Sequence, residues 1–448
     1  MKRMFLYLLI GISINSNAQV IENSLFSLTQ VAGTYSKVRA NSATDIVSTS
    51  YSIRNKVEMF TFIKDSNTMI YATVPYGYRI NDFVILDDCI FFCGRNFVDS
   101  CGYICIFDVN VSTMNIGGYR FINIYETNEL TEMIAYKVSE SLPRYDVMAI
   151  GKTKDYRFPT CVIDLNNYYW DDYWRCGIGY ELDSYFTDIA LMWDGNSGEI
   201  VTVGQSLVSN TNSLMPYVPK MYIRNYKKNG GFVSGMDDVL NIYTNIKMSP
   251  TSPFKATRLS DNNVAISSMI SSRDLLSNGI EIKRIDLNSM IINNIQLIRT
   301  SDETLKELTY FPASSKLAIL AENTQHLSKI FFANYTQDGT YYAQKIYNDD
   351  LLLNSISSYD NNHFLSTGVG SDLINSPLFL LQANLNNFST NECVINESVQ
   401  ASSENKSIYP NDSYIEPLAK YDCTVEYEEG FPEIYETTIN INCINYYK

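Results

Sequence analysis

The stretch Arg79–Phe107, RINDFVILDDCIFFCGRNFVDSCGYICIF, decides how the rest of the chain is read. Phe83, Val84, Ile85 and Leu86 form one unbroken apolar run, and Ile90, Phe91 and Phe92 form a second. Runs this short, rich in aromatic and β-branched residues and bounded by Asp87-Asp88 and Gly94, fit strands covered on both faces better than helices. Asp87 and Asp88 make a two-residue turn, and a third strand follows a short polar loop.

The cysteines in this stretch offer a register. If Cys93 faces Cys101 across an antiparallel hairpin, Cys89 faces Cys105 and all four point to one face. Opposed Cα atoms lie about 4.5–5.5 Å apart, within reach of a disulfide. The bridges Cys93–Cys101 and Cys89–Cys105 are therefore expected, ahead of free buried thiols. A zinc site is the third alternative, but ligands four apart on one strand are separated by roughly 13 Å, too far to share a tetrahedral ion.

The same phrase of three or four strands recurs with starts near residues 130, 186, 254, 305 and 352. One such sheet has two apolar faces and cannot bury both alone, whereas sheets stacked around an axis bury each other. The chain is expected to be an all-β β-propeller with six clear repeats. The Lys56–Val74 hairpin, joined by strands from the tail, is expected to close a seventh blade. Tandem β-sandwiches are the alternative, but these would show more even alternation and inter-domain linkers. The expected division is a signal peptide over 1–18, a propeller over 19–390, and a Cys-containing segment over 391–448 that completes the closing blade or forms a small stapled appendage.

In up-and-down sheets the second connections and the sheet-to-sheet links share one side. The first connections are tight, as at Asp87-Asp88 and Asp261-Asn262, while second connections such as Gly94–Ser100 and Val208–Tyr217 are longer. Longer loops on a rigid scaffold more often carry function, so that side is where a site is expected.

The opening MKRMFLYLLIGISINSNAQV has the charged, apolar and small-residue parts of a secretory signal, with cleavage expected after Ala18. The mature chain is accordingly expected to be exported to the periplasm, cell surface or medium and not to insert into a membrane. Nine cysteines then read as disulfide material with one left over. Cys161–Cys176 and Cys423–Cys443 are the further candidate pairs. The formal net charge is −15 and becomes two units more negative without Lys2 and Arg3, which opposes nucleic-acid binding.

Two histidines, His326 and His363, are too few to suggest a metal centre, and no HExxH, GxSxG, P-loop or GxGxxG pattern occurs. No metal or cofactor is expected. Sialidase-type Asp-boxes, kelch glycine pairs and WD dipeptides are also missing from the sequence. The densest local chemistry is Tyr168, Tyr169, Trp170, Asp171, Asp172 and Trp174, with Trp193 the remaining tryptophan. Flat rings beside carboxylates suit sugar rings, although the same residues serve equally as packing anchors of a folded-back loop. Arg95 with Asp99, and Arg273 with Asp274, stand in long loops as further ligand candidates, with solvated loop charges as the alternative.

The phrase INDFVILDDCIFFCG resembles a motif of uncharacterised exported proteins of gut Bacteroidetes, in which an Asp-Phe-Val-Ile-Leu strand precedes a Tyr/Phe-Phe-Cys-Gly strand. The resemblance implies a propeller-like repeat and no activity. The expected function is a non-catalytic binding or scaffold propeller contacting protein or glycan through its longer loops. The alternative is a carbohydrate-active enzyme, a glycosidase or lyase, with acidic residues at the central mouth.

Overall fold

The structure, a computed structural model, describes residues 24–441 apart from 33–36, 42–44, 53–55, 64–67, 140–141, 156–159, 168–173, 181–183, 192–197, 210–216, 229–237, 243–253, 261–262, 272–277, 287–290, 301–302, 312–313, 323–327, 335–342, 348–350, 359–362, 371–376, 385–394, 400, 405–418 and 439. The described strands form seven antiparallel sheets. Numbered in chain order, their first strands are Val38–Ala40, Tyr78–Leu86, Thr127–Ser139, Ser184–Leu191, Lys255–Ser260, Thr304–Phe311 and Leu351–Ser358. Each first strand contacts those of the preceding and following sheets, and that of sheet 7 contacts that of sheet 1. This is a β-propeller, an all-β fold of sheets set around an axis.

The apolar runs have a simple cause. In sheet 2, Ile90 and Phe92 pack with Phe60, Phe62 and Phe83 in one core, while Phe91 and Cys93 join Met133, Val147 and Ile163 in another. Both faces of the strand are covered, so neither parity is polar. The first of these cores is aromatic: Phe60 meets Phe92 at 5.1 Å and Phe83 at 5.7 Å, both edge to face. Such pairs add about 0.5–1.5 kcal/mol each beyond the area they bury.

Two expectations need correction. The Lys56–Val74 hairpin does share a sheet with a strand of the tail, Ile434–Thr438, but as the outer half of sheet 1, behind Val38–Ala40 and Ile46–Ser52, and it is not what closes the ring. The strand that completes sheet 7 is instead Ser24–Ala32, paired with Pro377–Asn384. The serine- and threonine-rich strand Ile46–Ser52 hides its role because its polar side chains are buried too, Ser50 completely.

The hairpin register also differs. Cys93 faces Ile104, and Cys105 faces Phe92. The cysteines of the two strands thus leave opposite faces: Cys93 joins the core toward sheet 3, and Cys105 joins the core with sheet 1. The expected Cys93–Cys101 and Cys89–Cys105 bridges do not fit this register, and all four are thiols. The cause is the turn. Asn96 Oδ1 accepts the N–H groups of Val98 and Asp99, so only four residues separate Asn96 from its partner Cys101.

The described strands of the tail add one by one to the outer edges of the sheets. Ile395–Val399 adds to the outer edge of sheet 6, Ala401–Glu404 to sheet 5, Ala419–Asp422 to sheet 3, and Val425–Gly430 to sheet 2. Ile434–Thr438 then pairs with sheet 1, and Asn440–Ile441 with the N-terminal strand of sheet 7. The tail therefore runs round the outside against chain order. It covers edges that would otherwise offer unpaired N–H and C=O groups to other chains. Residues 405–418, where sheet 4 would come next, lie outside the described residues.

Candidate functional site

The first strands of five sheets are irregular at one equivalent place: between Ile80 and Asp82, Leu130 and Glu132, Phe186 and Asp188, Leu305 and Glu307, and Leu353 and Ser355. A bulge re-aims the side chain that follows it. Across from the bulge in sheet 2, Gly94 lies so near that a Cβ would come within 1.8 Å of the Arg79 carbonyl oxygen.

The residues after these bulges reach from one sheet to the next. Asp82 Oδ2 accepts the Met133 N–H at 3.0 Å, Asp188 Oδ2 that of Ala256 at 2.7 Å, and Glu307 Oε2 that of Ile356 at 2.7 Å. Ser355 Oγ accepts the Val38 N–H at 3.3 Å. Sheets 1 and 5 supply Lys37 and Lys255 instead, which cannot accept and make ion pairs. Lys37 bridges Asp82 at 2.9 Å and Glu132 at 3.0 Å, Lys255 meets Glu132 at 2.8 Å, and Arg39 joins Asp82 and Glu307 at 3.0 Å each.

These charges line a cavity of about 420 Å³. Burial opposes ionisation of Glu132, yet Lys255 and Lys37 outweigh it and hold this carboxyl well below the usual range. Burial dominates at Asp188, and with the nearby Glu132 pushes it up to about 7 against the pull of Lys255. Asp82 is also raised, by burial first. Lys37, Arg39, Lys255 and Lys306 thus share the lining with four acids, of which Asp188 and Asp82 are driven toward their neutral forms.

A second concavity, of about 410 Å³, opens between sheets 1 and 2. Glu58 and Tyr78 form its buried lining, and Tyr76, Phe97 and Val98 its exposed rim, at 71%, 51% and 69% accessibility. Lys56 and Arg79 stand beside them. The wall depends on Gly77, whose φ is +96° and whose Cβ would meet Val98 Cγ2 at 2.7 Å. The Phe97 N–H donates to the Gly77 carbonyl at 2.8 Å, which joins the link to the loop. Tyr78 stacks on Phe121 at 4.1 Å and donates its hydroxyl to Glu428 of the tail at 2.6 Å. Burial pushes Glu58 up to about 8, partly offset by Arg79, which favours the neutral carboxyl.

Of the residues singled out in the sequence, the loop 94–100 does border this cleft. Arg95 and Asp99 do not line it: the Arg95 guanidinium lies 4.9 Å over the Phe97 ring, and Asp99 accepts from Asn96 at 2.7 Å. Tyr168, Tyr169, Trp170, Asp171, Asp172, Trp193 and Arg273 lie outside the described residues, as do His326, Cys393 and Cys443. Trp174 begins the outer strand Trp174–Tyr180 of sheet 3. Among the described residues no group of three or more His, Cys, Asp and Glu could hold a metal ion. The axial acids were missed, although the sequence carries their signal. Ile80-Asn81-Asp82-Phe83, Leu130-Thr131-Glu132-Met133, Phe186-Thr187-Asp188-Ile189 and Leu305-Lys306-Glu307-Leu308 repeat one acid inside one apolar frame.

No family model matches the chain, and no curated protein matches it. Among solved structures it is similar to the Trypanosoma rangeli sialidase in complex with the inhibitor DANA, at 7% identity and a TM-score of 0.23. The match covers 53% of this chain and 53% of that one, about half of each.

Proposed function

We propose that the chain is an exported, non-catalytic binding propeller of seven blades that takes a short sugar chain in the cleft between sheets 1 and 2. The observation that carries this reading is the exposed aromatic rim of Tyr76 and Phe97 over the buried Glu58 and the half-buried Arg79. Rings stack on the C–H faces of a sugar, while a protonated carboxyl and a guanidinium exchange hydrogen bonds with its hydroxyls. The cleft stands on the side of the second connections, where long loops ride on a rigid scaffold.

A second reading, a glycosidase or lyase working at the axis, is favoured by Asp188, whose carboxyl is pushed up to about 7 in a polar cavity. Against it, the axial acids are committed to the fold by ion pairs and backbone N–H groups. A glycan array read for both binding and turnover tests the two. Binding abolished by Tyr76→Ala and Phe97→Ala, and kept by Asp188→Asn, is the expected result. Turnover lost in Asp188→Asn would establish the enzyme instead. Binding to peptides alone, or binding that ignores both aromatic variants, would overturn the sugar site.

A further inference from the structure

We propose that Cys176 and Cys423 form a disulfide that fastens the encircling tail to sheet 3. In the ladder between Trp174–Tyr180 and Ala419–Asp422, Ile178 faces Tyr421 and Gly177 faces Asp422, so the next step sets Cys176 opposite Cys423. The Cys423 N–H donates to the Cys176 carbonyl at 3.1 Å, which continues the pairing to that step. Opposed Cα atoms at a hydrogen-bonded antiparallel position lie about 5.5 Å apart, in the middle of the span that disulfides bridge. Both side chains enter the same apolar cluster, with Ile178 and Val425, so they leave their strands on one face. Cys176 is buried and Cys423 half-buried, and both are thiols here.

The rival pairings are weaker. Cys161 faces Tyr180, whereas Cys176 faces Leu165, so the expected Cys161–Cys176 bridge would have to span four residues of strand, roughly 13 Å. Cys105 belongs to a different core. Cys443, the partner expected for Cys423, lies outside the described residues.

The oxidant is a low-molecular-weight disulfide such as oxidised glutathione. Cys423, the more accessible thiol, loses its proton to solvent and attacks one sulfur of that disulfide, expelling one small thiolate and leaving a mixed disulfide. Cys176 then loses its proton and attacks Cys423 Sγ, expelling the second small thiolate. Two protein thiols are oxidised and one disulfide is reduced to two thiols, so atoms and electrons balance. The bridge stands at the start of the run over sheets 2, 1 and 7, including Glu428, which holds Tyr78 of the cleft. One covalent bond therefore secures every later strand of the tail against peeling.

The test uses the full chain, reduced and then treated with oxidised glutathione, alkylated, and digested without reductant for mass spectrometry. The expected product is a peptide pair joined through Cys176 and Cys423, with proteolysis of residues 419–441 slowed about tenfold or more relative to the reduced chain. Cys423→Ser and Cys176→Ser should each lose the linked pair and the oxidation-dependent protection, while matching the reduced wild type. Alkyl label on both cysteines after oxidation, or Cys423 joined to any other cysteine, overturns the proposal. The wild-type map decides even if one variant fails to fold.

Discussion

Asp188 and Glu132 line one cavity, yet replacing each by its amide should move stability in opposite directions. Asp188 is pushed from 3.8 up to about 7, chiefly by burial. Between those values the folded chain keeps a proton that the unfolded chain has released, so stability falls as pH rises through this window. At about 1.36 kcal/mol per pKa unit, the wild type loses about 2–3 kcal/mol from this group between pH 5 and pH 8. Asp188→Asn has nothing to ionise and still accepts the Ala256 N–H through its amide oxygen. It should match or exceed the wild type at pH 8, and its loss between pH 5 and 8 should be smaller by about 2–3 kcal/mol.

Glu132→Gln removes the carboxylate that serves both Lys37 and Lys255. Breaking a buried pair from one side costs about 3–5 kcal/mol. Lys37 retains Asp82 at 2.9 Å and Lys255 retains Asp188 at 3.9 Å, which reduces the expected cost to about 2–4 kcal/mol. The Glu132 carboxyl is held low, so its contribution is complete above the unfolded carboxyl range and is lost only in acid. Removing its negative charge also eases ionisation of Asp188, so Glu132→Gln should itself show a flatter pH slope. Urea unfolding followed by circular dichroism at pH 5 and pH 8 reads all of this. A wild-type slope retained in Asp188→Asn, or a Glu132→Gln chain as stable as the wild type, would refute the reasoning.

Three further outcomes are expected. Glu58→Gln should flatten a loss of stability that the wild type shows as pH rises from 4.5 through about 8, since burial raises this carboxyl; unfolding at pH 6 and pH 9 checks it, with the variant the more stable at pH 9. Gly77→Ala should cost about 1–3 kcal/mol and weaken ligand binding, because its φ of +96° strains any side chain and a Cβ would push Val98 Cγ2, 2.7 Å away, out of the rim. Phe60→Ala should cost about 3–5 kcal/mol in denaturant unfolding, since the ring packs on Phe62, Phe83, Phe92 and Phe107.

The architecture was legible wherever strands are buried on both sides. Ile90–Cys93 reads as a strand because alternate residues enter two different cores, so the whole run must be apolar. Ile46–Ser52 was harder, because its buried serines and threonines carry no hydrophobic signal. The cysteine register failed for a local reason: the side chain of Asn96 tightens the turn, and the shift from the expected pairing is odd, which sends the two cysteine pairs to opposite faces. The tail was illegible because each of its strands is only two to six residues long and takes its register from a different sheet. The axial acids were hidden among 49 acidic residues until the bulges gave one position in each sheet a meaning.

Every sheet in such a ring has two edges, and this chain treats them with different chemistry. Inside, the first strand points N–H groups toward a polar cavity, where a longer backbone partner would not fit. A carboxylate or hydroxyl from the neighbouring sheet accepts Met133, Ala256, Ile356 and Val38 instead. Lys37, Arg39 and Lys255 then offset the negative charge those acceptors bring. Outside there is room for backbone, and the tail supplies it strand by strand. The inner solution is sensitive to pH through Asp188 and Asp82, whereas the outer one rests mainly on backbone hydrogen bonds and, on our proposal, one thiol pair. Acid or base should therefore loosen the axis first and a reductant the circumference. The cleft is tied to both systems. Arg79, in its lining, shares a strand with Asp82 at the axis, while Tyr78 beside it holds the tail through Glu428.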